Sequence, residues 1–263
     1  MNDVDLASLK ALGRAAGIST IHVYDQVDST NRIAMELGNQ GSPHGSLVVA
    51  RTQDAGKGRA GRQWYSPPGQ LYLSLIWRLP WSAERAFQVT LDVAVSVARA
   101  VEKQLGFAPV LRWPNDVLIQ GKKCCGILTE LRTRGSQVDF LVVGIGLNVL
   151  PFSSDLPSEL GNIAVSLSEH SKGPVDLLEF GTLLLHELSV GYSEMLVRGG
   201  FDRQAWRHYA ETIGAPVTVS PPGEAQFTAT AVDIDEQGLL VVETSDGRIH
   251  RVIAGDVRVR EVH

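Results

Sequence analysis

The sequence predicts an α+β protein in two parts: an antiparallel sheet with helices over residues 1–212, and a small all-β unit over 213–263. Three observations carry this. Four strand-like runs between 110 and 149 are joined by short turns, "QGKK" and "RTRGSQ" among them, which read as an antiparallel meander. Two long segments have apolar residues at helical spacing. From Gly214 onward five short strands crowd into about fifty residues with turns at "PPGE", "EQG", "SDG" and "AGD", the pattern of a small barrel.

In chain order, "DLASLKALGRAAG" (5–17) places Leu6, Leu9 and Leu12 on one helical face. "IHVYDQV" (21–27) reads as a strand, after which Asp28 or Ser29 caps a helix running to Gly38. "SLVVAR" (46–51) and "LYLSLIW" (71–77) are strands, and Ser82 leads into a long helix that turns Phe87, Leu91, Val95, Ala98 and Val101 to the core. The meander comprises "VLRW", "DVLI", "CCGILTEL" and "VDFLVVGIGLNV". Residues 150–175, rich in Pro, Ser and Gly, read as loop with a brief helix; helices follow over about 176–198 and 202–211. The tail strands are "PVTVS", "QFTATAVDID", "LLVVETS", "RIHRVI" and "VRVRE".

The chain has 263 residues, 44% hydrophobic and 20% charged, with a formal net charge of -5. Mild acidity argues against general nucleic-acid binding, so a basic cluster is expected to be local and directed at a ligand. The charged start "MNDVDLASLK" and the lack of a bilayer-length apolar run predict no membrane span and a cytoplasmic protein. Cys124 and Cys125 are adjacent, neither a redox nor a zinc spacing, and read as packed thiols. The seven histidines show no metal spacing, and no protein-only metal site is expected.

"DAGKGRAGRQW" (54–64) sets Gly56, Gly58 and Gly61 among Lys57, Arg59 and Arg62. The spacing is G-x-G-x-x-G after a strand, yet Pro67 and Pro68 follow where a dinucleotide loop opens a helix. Arg62 and Gln63 replace the Lys and Ser/Thr of a P-loop, and no kinase sequences follow. Glycines let backbone N–H groups turn towards an anion and guanidinium groups offer forked donors, so the stretch reads either as a phosphate clamp or as a solvated basic loop.

In "RWPNDVLIQGKKCCG" (112–126), Pro114 stiffens a turn that presents Asn115 and Asp116 to a metal, a ribose or an amine. Lys123 enters the core strand where it can neutralise a carboxylate and a developing phosphoryl charge, and Gly126 leaves room for a flat ligand. A hairpin with solvated lysines fits the same residues.

Together, "DSTN" (28–31), "TQDAGKGRAGRQW" (52–64), "LYLSLIWR" (71–78), "RWPNDVLIQGKKCCGIL" (112–128) and "VVGIGLNV" (142–149) resemble the biotin protein ligases in order and spacing. The tail "GLLVVETSDGRIHRVIAGDV" (238–257) is similar to that family's C-terminal unit, so the resemblance spans nearly the whole chain. It implies a catalytic domain like those of class II aminoacyl-tRNA synthetases plus an SH3-like barrel. It also implies that biotin and ATP, with Mg²⁺, give biotinyl-5′-AMP, from which biotin passes to a lysine of the biotin carboxyl carrier domain of an acyl-CoA carboxylase.

The resemblance assigns Ser29, Thr30, Asn31 and Gln53 to biotin recognition. Gly56, Lys57, Gly58, Arg59 and Arg62 fall in the loop that closes over the adenylate. Trp64 is placed near adenine, Asn148 at its edge, Lys123 between biotin carboxylate and α-phosphate beside Gly126, and Asn115 and Asp116 at the metal or nucleotide and the incoming lysine. Lys57 stands where the family usually has arginine, losing a forked donor, and Ala60 stands where a longer polar side chain is common. A lipoyl or octanoyl transferase would not need so cationic a loop. A biotin-sensing repressor carries a winged helix-turn-helix before the catalytic domain, and about 27 residues before "DSTN" are too few, so no specific DNA binding is expected.

Overall fold

The computed structural model describes residues 18–152, 156–221, 223, 225–252 and 256–259; the helix expected over 5–17 and parts of the "PPGE" and "AGD" turns lie outside these. The first sheet runs from β1 (Thr20–Val27) through helix α1 (Thr30–Asn39) to β2 (Ser46–Gln53) and β3 (Leu71–Trp77). After helix α2 (Phe87–Leu105) come β4 (Val110–Arg112), β5 (Asp116–Ile119), β6 (Lys122–Arg134) and β7 (Gln137–Leu147). Strand order is β1-β2-β3-β7-β6-β5-β4. The meander β4 to β7 pairs antiparallel as expected, but β1 lies parallel to β2, so the sheet is mixed. The helical crossover α1 is the reason: it returns the chain to the same end of the sheet, which a hairpin cannot do.

Strand alternation gives the sheet two different faces. Leu71, Leu73, Leu75 and Trp77 of β3, with Leu141, Val143, Ile145 and Leu147 of β7, face the main core beneath α2. Val48, Ile76, Phe140 and Val142 face the other way and pack against Ala34 of α1. Farther along that second face the apolar cover stops, and Ser74, Gly144 and Gly146 follow in the same alternation.

Helix α2 is buried along nearly its whole length, since the sheet, helix α3 (Leu177–Arg198) and the C-terminal unit surround it. Ser82 stands at the N-cap position of a 3-10 turn over Ala83–Arg85 without a side-chain cap bond, and α2 starts only at Phe87. Asp176 caps α3 by accepting from the N–H groups of Leu178 (2.8 Å) and Glu179 (2.9 Å), and Asp202 caps α4 (Arg203–Tyr209) through Ala205 N–H (2.9 Å).

The tail forms β8 (Pro216–Ser220), β9 (Phe227–Ile234), β10 (Leu240–Glu243), β11 (Ile249–Val252) and β12 (Asp256–Val259). All pairs are antiparallel, in the order β11-β10-β9-β8-β12. No ladder joins β11 to β12 among the described residues, so the expected barrel is seen as an open sheet. Its β9–β10 turn docks on the first unit: a Cβ on Gly238 would stand 2.4 Å from Leu91, and Trp113 Nε1 donates to the Gly238 carbonyl at 3.1 Å. Among the described residues no helix is long and apolar enough to cross a membrane.

Candidate active site

The site begins where α1 starts. Ser29 is the N-cap, buried, with no cap bond from its hydroxyl, and its own N–H donates to Asp28. Gln53, at the end of β2, reaches across to this helix start: its Oε1 accepts the Thr30 N–H at 2.8 Å, and its Nε2 donates to Ser66 Oγ at 3.0 Å. Thr30 is 4% exposed, beside Ser74 of β3. Asn31 lies deeper. Its Nδ2 donates to the Leu128 carbonyl and to Glu130 (2.8 Å), and Ser74 Oγ lies 2.7 Å from its Oδ1. A Cβ on Gly144 would come within 1.9 Å of that Oδ1, so only glycine lets Asn31 reach the sheet. Asn31 was expected to meet the ligand; in this structure its carboxamide contacts Leu128, Glu130 and Ser74.

The basic segment is a small closed hairpin. Trp64 N–H donates to the Gly56 carbonyl (2.8 Å), Gly58 N–H to the Arg62 carbonyl (2.7 Å), and Lys57 bridges Gln63. Its tip is a 3-10 turn over Arg59–Gly61, with Ala60 at φ 53 and Gly61 at φ 74. Left-handed backbone costs a residue with a Cβ about 1 kcal/mol, so Ala60 is a strained element in the loop. A Cβ on Gly56 would meet the Trp64 carbonyl at 2.5 Å and Ser66 Oγ at 2.7 Å, which packs the loop base against Gln53. Lys57, Gly61 and Arg62 are exposed, whereas Arg59 is half-buried and donates to Asn115 Oδ1 at 3.2 Å.

Trp64 joins the two halves of the site. Gly126 and Gly146 are register partners on β6 and β7, and a Cβ on either would strike the indole, at 2.8 Å and 2.5 Å. The space at Gly126 expected for a flat ligand is thus filled here by this ring. Its Nε1 is buried with no hydrogen-bond partner among the described residues, and Lys123 Nζ sits 5.2 Å from the ring centroid.

Lys123 and Asp116 form the charged end. They face each other across the β5–β6 pair, Nζ to Oδ1 at 2.6 Å, each side chain about a third exposed. Asn115 is tied to the Ile127 backbone in both directions, its Nδ2 donating to the carbonyl at 2.9 Å. Asn148 is 4% exposed, and its Nδ2 clasps the carbonyls of Lys123 and Val165. Its side-chain oxygen is not used in either of these bonds. Cys124 and Cys125 are fully buried, and burial pushes the Cys124 thiol up to about 12 and Cys125 well above its ordinary value, so neither is a nucleophile at neutral pH.

The fold therefore gathers Ser29, Thr30, Gln53, Gly56, Arg59, Trp64, Asn115, Asp116, Lys123 and Gly126 around one stretch of sheet. Sequence reasoning missed Ser66, Ser74, Gly144 and Gly146. A hydroxyl inside "LYLSLIW" and two glycines inside "VVGIGLNV" were the available signals. Among the described residues no three His, Cys, Asp or Glu side chains cluster to hold a metal, and Asp116 is already paired.

Comparison with known proteins fits this geometry. Residues 23–148 match the Biotin/lipoate A/B protein ligase family and residues 212–260 match the Biotin protein ligase C terminal domain. The chain is 36% identical to the bifunctional ligase/repressor BirA of Bacillus spizizenii over 237 residues, 89% of this chain and 72% of that protein. It is 31% identical to the biotin–[acetyl-CoA-carboxylase] ligase of Mycobacterium tuberculosis, covering 94% and 91%. The biotin protein ligase of Aquifex aeolicus in complex with biotin and ATP superposes with a TM-score of 0.77 at 28% identity, covering 93% of this chain and 100% of that one. With both units matched in order and the matched segments containing the polar slot and the charged hairpin, the chain belongs to the Biotin/lipoate A/B protein ligase family, among the biotin protein ligases.

Proposed function

We propose that this chain activates biotin with MgATP and transfers it to a lysine of a biotin carboxyl carrier domain of an acyl-CoA carboxylase. The observation that carries the reading is the continuity of the site: the uncharged slot of Ser29, Thr30 and Gln53 leads over Gly126 and Gly146 to Lys123. A cyclic urea needs fixed hydrogen bonds, and its carboxylate tail needs one cation at the far end.

In the first step the biotin carboxylate attacks the α-phosphorus and pyrophosphate leaves. Lys123 sits to neutralise both the carboxylate and the charge growing on the phosphate, once it exchanges Asp116 for the substrates. Arg59, on a loop already tied to Asn115, covers the mixed anhydride and keeps water out, with Lys57, Gly58 and Arg62 around it. Trp64 and Asn148 border the adenine. In the second step the carrier lysine amine attacks the acyl carbon and AMP leaves; Asp116 and Asn115 orient that amine. Magnesium would enter with the nucleotide, bound through its phosphates. The division at 212/213 separates this catalytic unit from a tail that braces it through Gly238.

Pyrophosphate release from MgATP tests the reading, comparing biotin, lipoate, octanoate and no acid before any carrier is added. Biotin-dependent release is expected. Release with lipoate alone would move the chain to a lipoate-activating role, and no release with any acid would overturn the adenylation step.

A further inference from the structure

Ser74 is a fully buried hydroxyl in an aliphatic and aromatic strand, and it touches no solvent. Four oxygens line up through it. Ser74 Oγ lies 2.7 Å from Asn31 Oδ1 and 2.8 Å from Thr30 Oγ1, and Thr30 Oγ1 lies 3.1 Å from Gln53 Oε1. Both ends of the row are acceptors only. Asn31 must turn its Nδ2 to the Leu128 carbonyl, which cannot donate, and to Glu130, so its oxygen faces Ser74. Gln53 Oε1 takes the Thr30 backbone N–H, while its Nε2 goes to Ser66, whose own proton goes to the Trp64 carbonyl.

Three gaps therefore share two hydroxyl protons, and one gap stays without a proton. Two bare oxygens repel least where they are farthest apart, which is the 3.1 Å gap between Thr30 and Gln53. The Ser74 proton then points to Asn31 and the Thr30 proton points to Ser74. We propose that Ser74, anchored by Asn31 and Glu130, is a positioning residue: it draws the Thr30 proton inward and leaves Thr30 Oγ1 and Gln53 Oε1 as paired acceptors for one ring N–H of the substrate's cyclic urea. This rests on the biotin reading above. It makes the slot selective for an N–H donor at that point, and a ring oxygen there faces two lone pairs.

The test is the affinity of biotin and of its two cyclic-carbamate analogues, each with one ureido N–H replaced by oxygen, measured by titration calorimetry. The wild-type protein should bind biotin at least about tenfold better than one of the carbamates, the worth of one hydrogen bond. In Ser74→Ala the Thr30 proton is free to turn, and that ratio should fall below about threefold. In a Thr30→Val background, adding Ser74→Ala should leave the ratio unchanged, because the two act as one device. If Ser74→Ala weakens biotin and carbamate by the same factor, Ser74 only supports the fold and the inference is wrong. Neutron diffraction on the wild-type protein decides the point even where Ser74→Ala does not fold: a Thr30 hydroxyl deuteron directed at Ser74 supports it, and one directed at Gln53 overturns it. A wild-type protein that binds no biotin would sink the functional reading and this inference together; biotin binding with an unchanged ratio sinks the inference alone.

Discussion

Trp113 donates its indole N–H to the carbonyl of Gly238 at 3.1 Å, so the residue that leads into Asn115 and Asp116 is held by the C-terminal sheet. Its backbone N–H also donates to Thr212 Oγ1, and its ring packs against Phe87. The Gly238 turn, at φ 88, cannot accept a side chain without striking Leu91. Trp113→Phe removes the donor and part of a fully buried ring. The lost hydrogen bond and the cavity together should cost about 2–4 kcal/mol in urea unfolding and slow pyrophosphate release several-fold. Unchanged release would show that the brace does not reach the site.

Gly146→Ala should expel Trp64 from its seat, because the new methyl would lie 2.5 Å from the indole. Overpacking of this kind costs about 1–3 kcal/mol where the neighbour cannot yield. Trp64 has an exposed side to move to, so the fold should survive with a red-shifted tryptophan emission and a large fall in adenylation. Emission and activity like those of the wild type would mean that the ring does not depend on the glycine pair.

The Lys123 and Asp116 side chains are each about a third exposed, so breaking their pair should change stability by less than about 1 kcal/mol. The chemical cost should be far larger. Lys123→Ala is expected to suppress biotin-dependent pyrophosphate release by at least about a hundredfold, the effect of losing one preorganised charge at the transition state. Near-normal release would remove Lys123 from the first step. Asp116→Asn should lower the second step more than the first, which a comparison of adenylate formation and carrier labelling reads directly.

Arg59→Gly removes the contact to Asn115 that ties the basic loop to the hairpin. Melting should stay nearly unchanged, while biotinyl-adenylate escapes and labels proteins other than the carrier. Labelling confined to the carrier, with release unchanged, would end the covering role of Arg59.

A pH effect is expected far from the site. Burial between α2 and α3 pushes the Asp92 carboxyl up to about 6, although Arg198 and the Asp202 N–H favour its charge. Between about 4 and 6 the folded protein keeps this proton after the unfolded chain has lost it. Its contribution to stability is therefore full below about pH 4, declines as pH rises, and levels off above about 6. Asp92→Asn should remove that decline, gaining on the wild type by up to about 3 kcal/mol across the window at 1.36 kcal/mol per unit. Parallel stability curves for the two proteins would show that Asp92 titrates normally.

The sequence by itself determined the order and type of nearly every described element, because alternation and 3.6-residue periodicity record which side of each segment leaves water. Leu71–Trp77 and Asp116–Ile119 fall where the strand pattern puts them. It also set Lys123, Arg59 and Gln53 in compact motifs, which the fold brings to one stretch of sheet. Pairing over long separations was decided only in three dimensions. The parallel alignment of β1 with β2 follows from how α1 packs, and whether the tail closes into a barrel depends on edges that no local pattern encodes. The same holds for Asn31, which the motif pointed at the ligand. Its direction was settled by a glycine and a carboxylate about a hundred residues away, Gly144 and Glu130, because a buried carboxamide turns to whichever partners can satisfy both its ends.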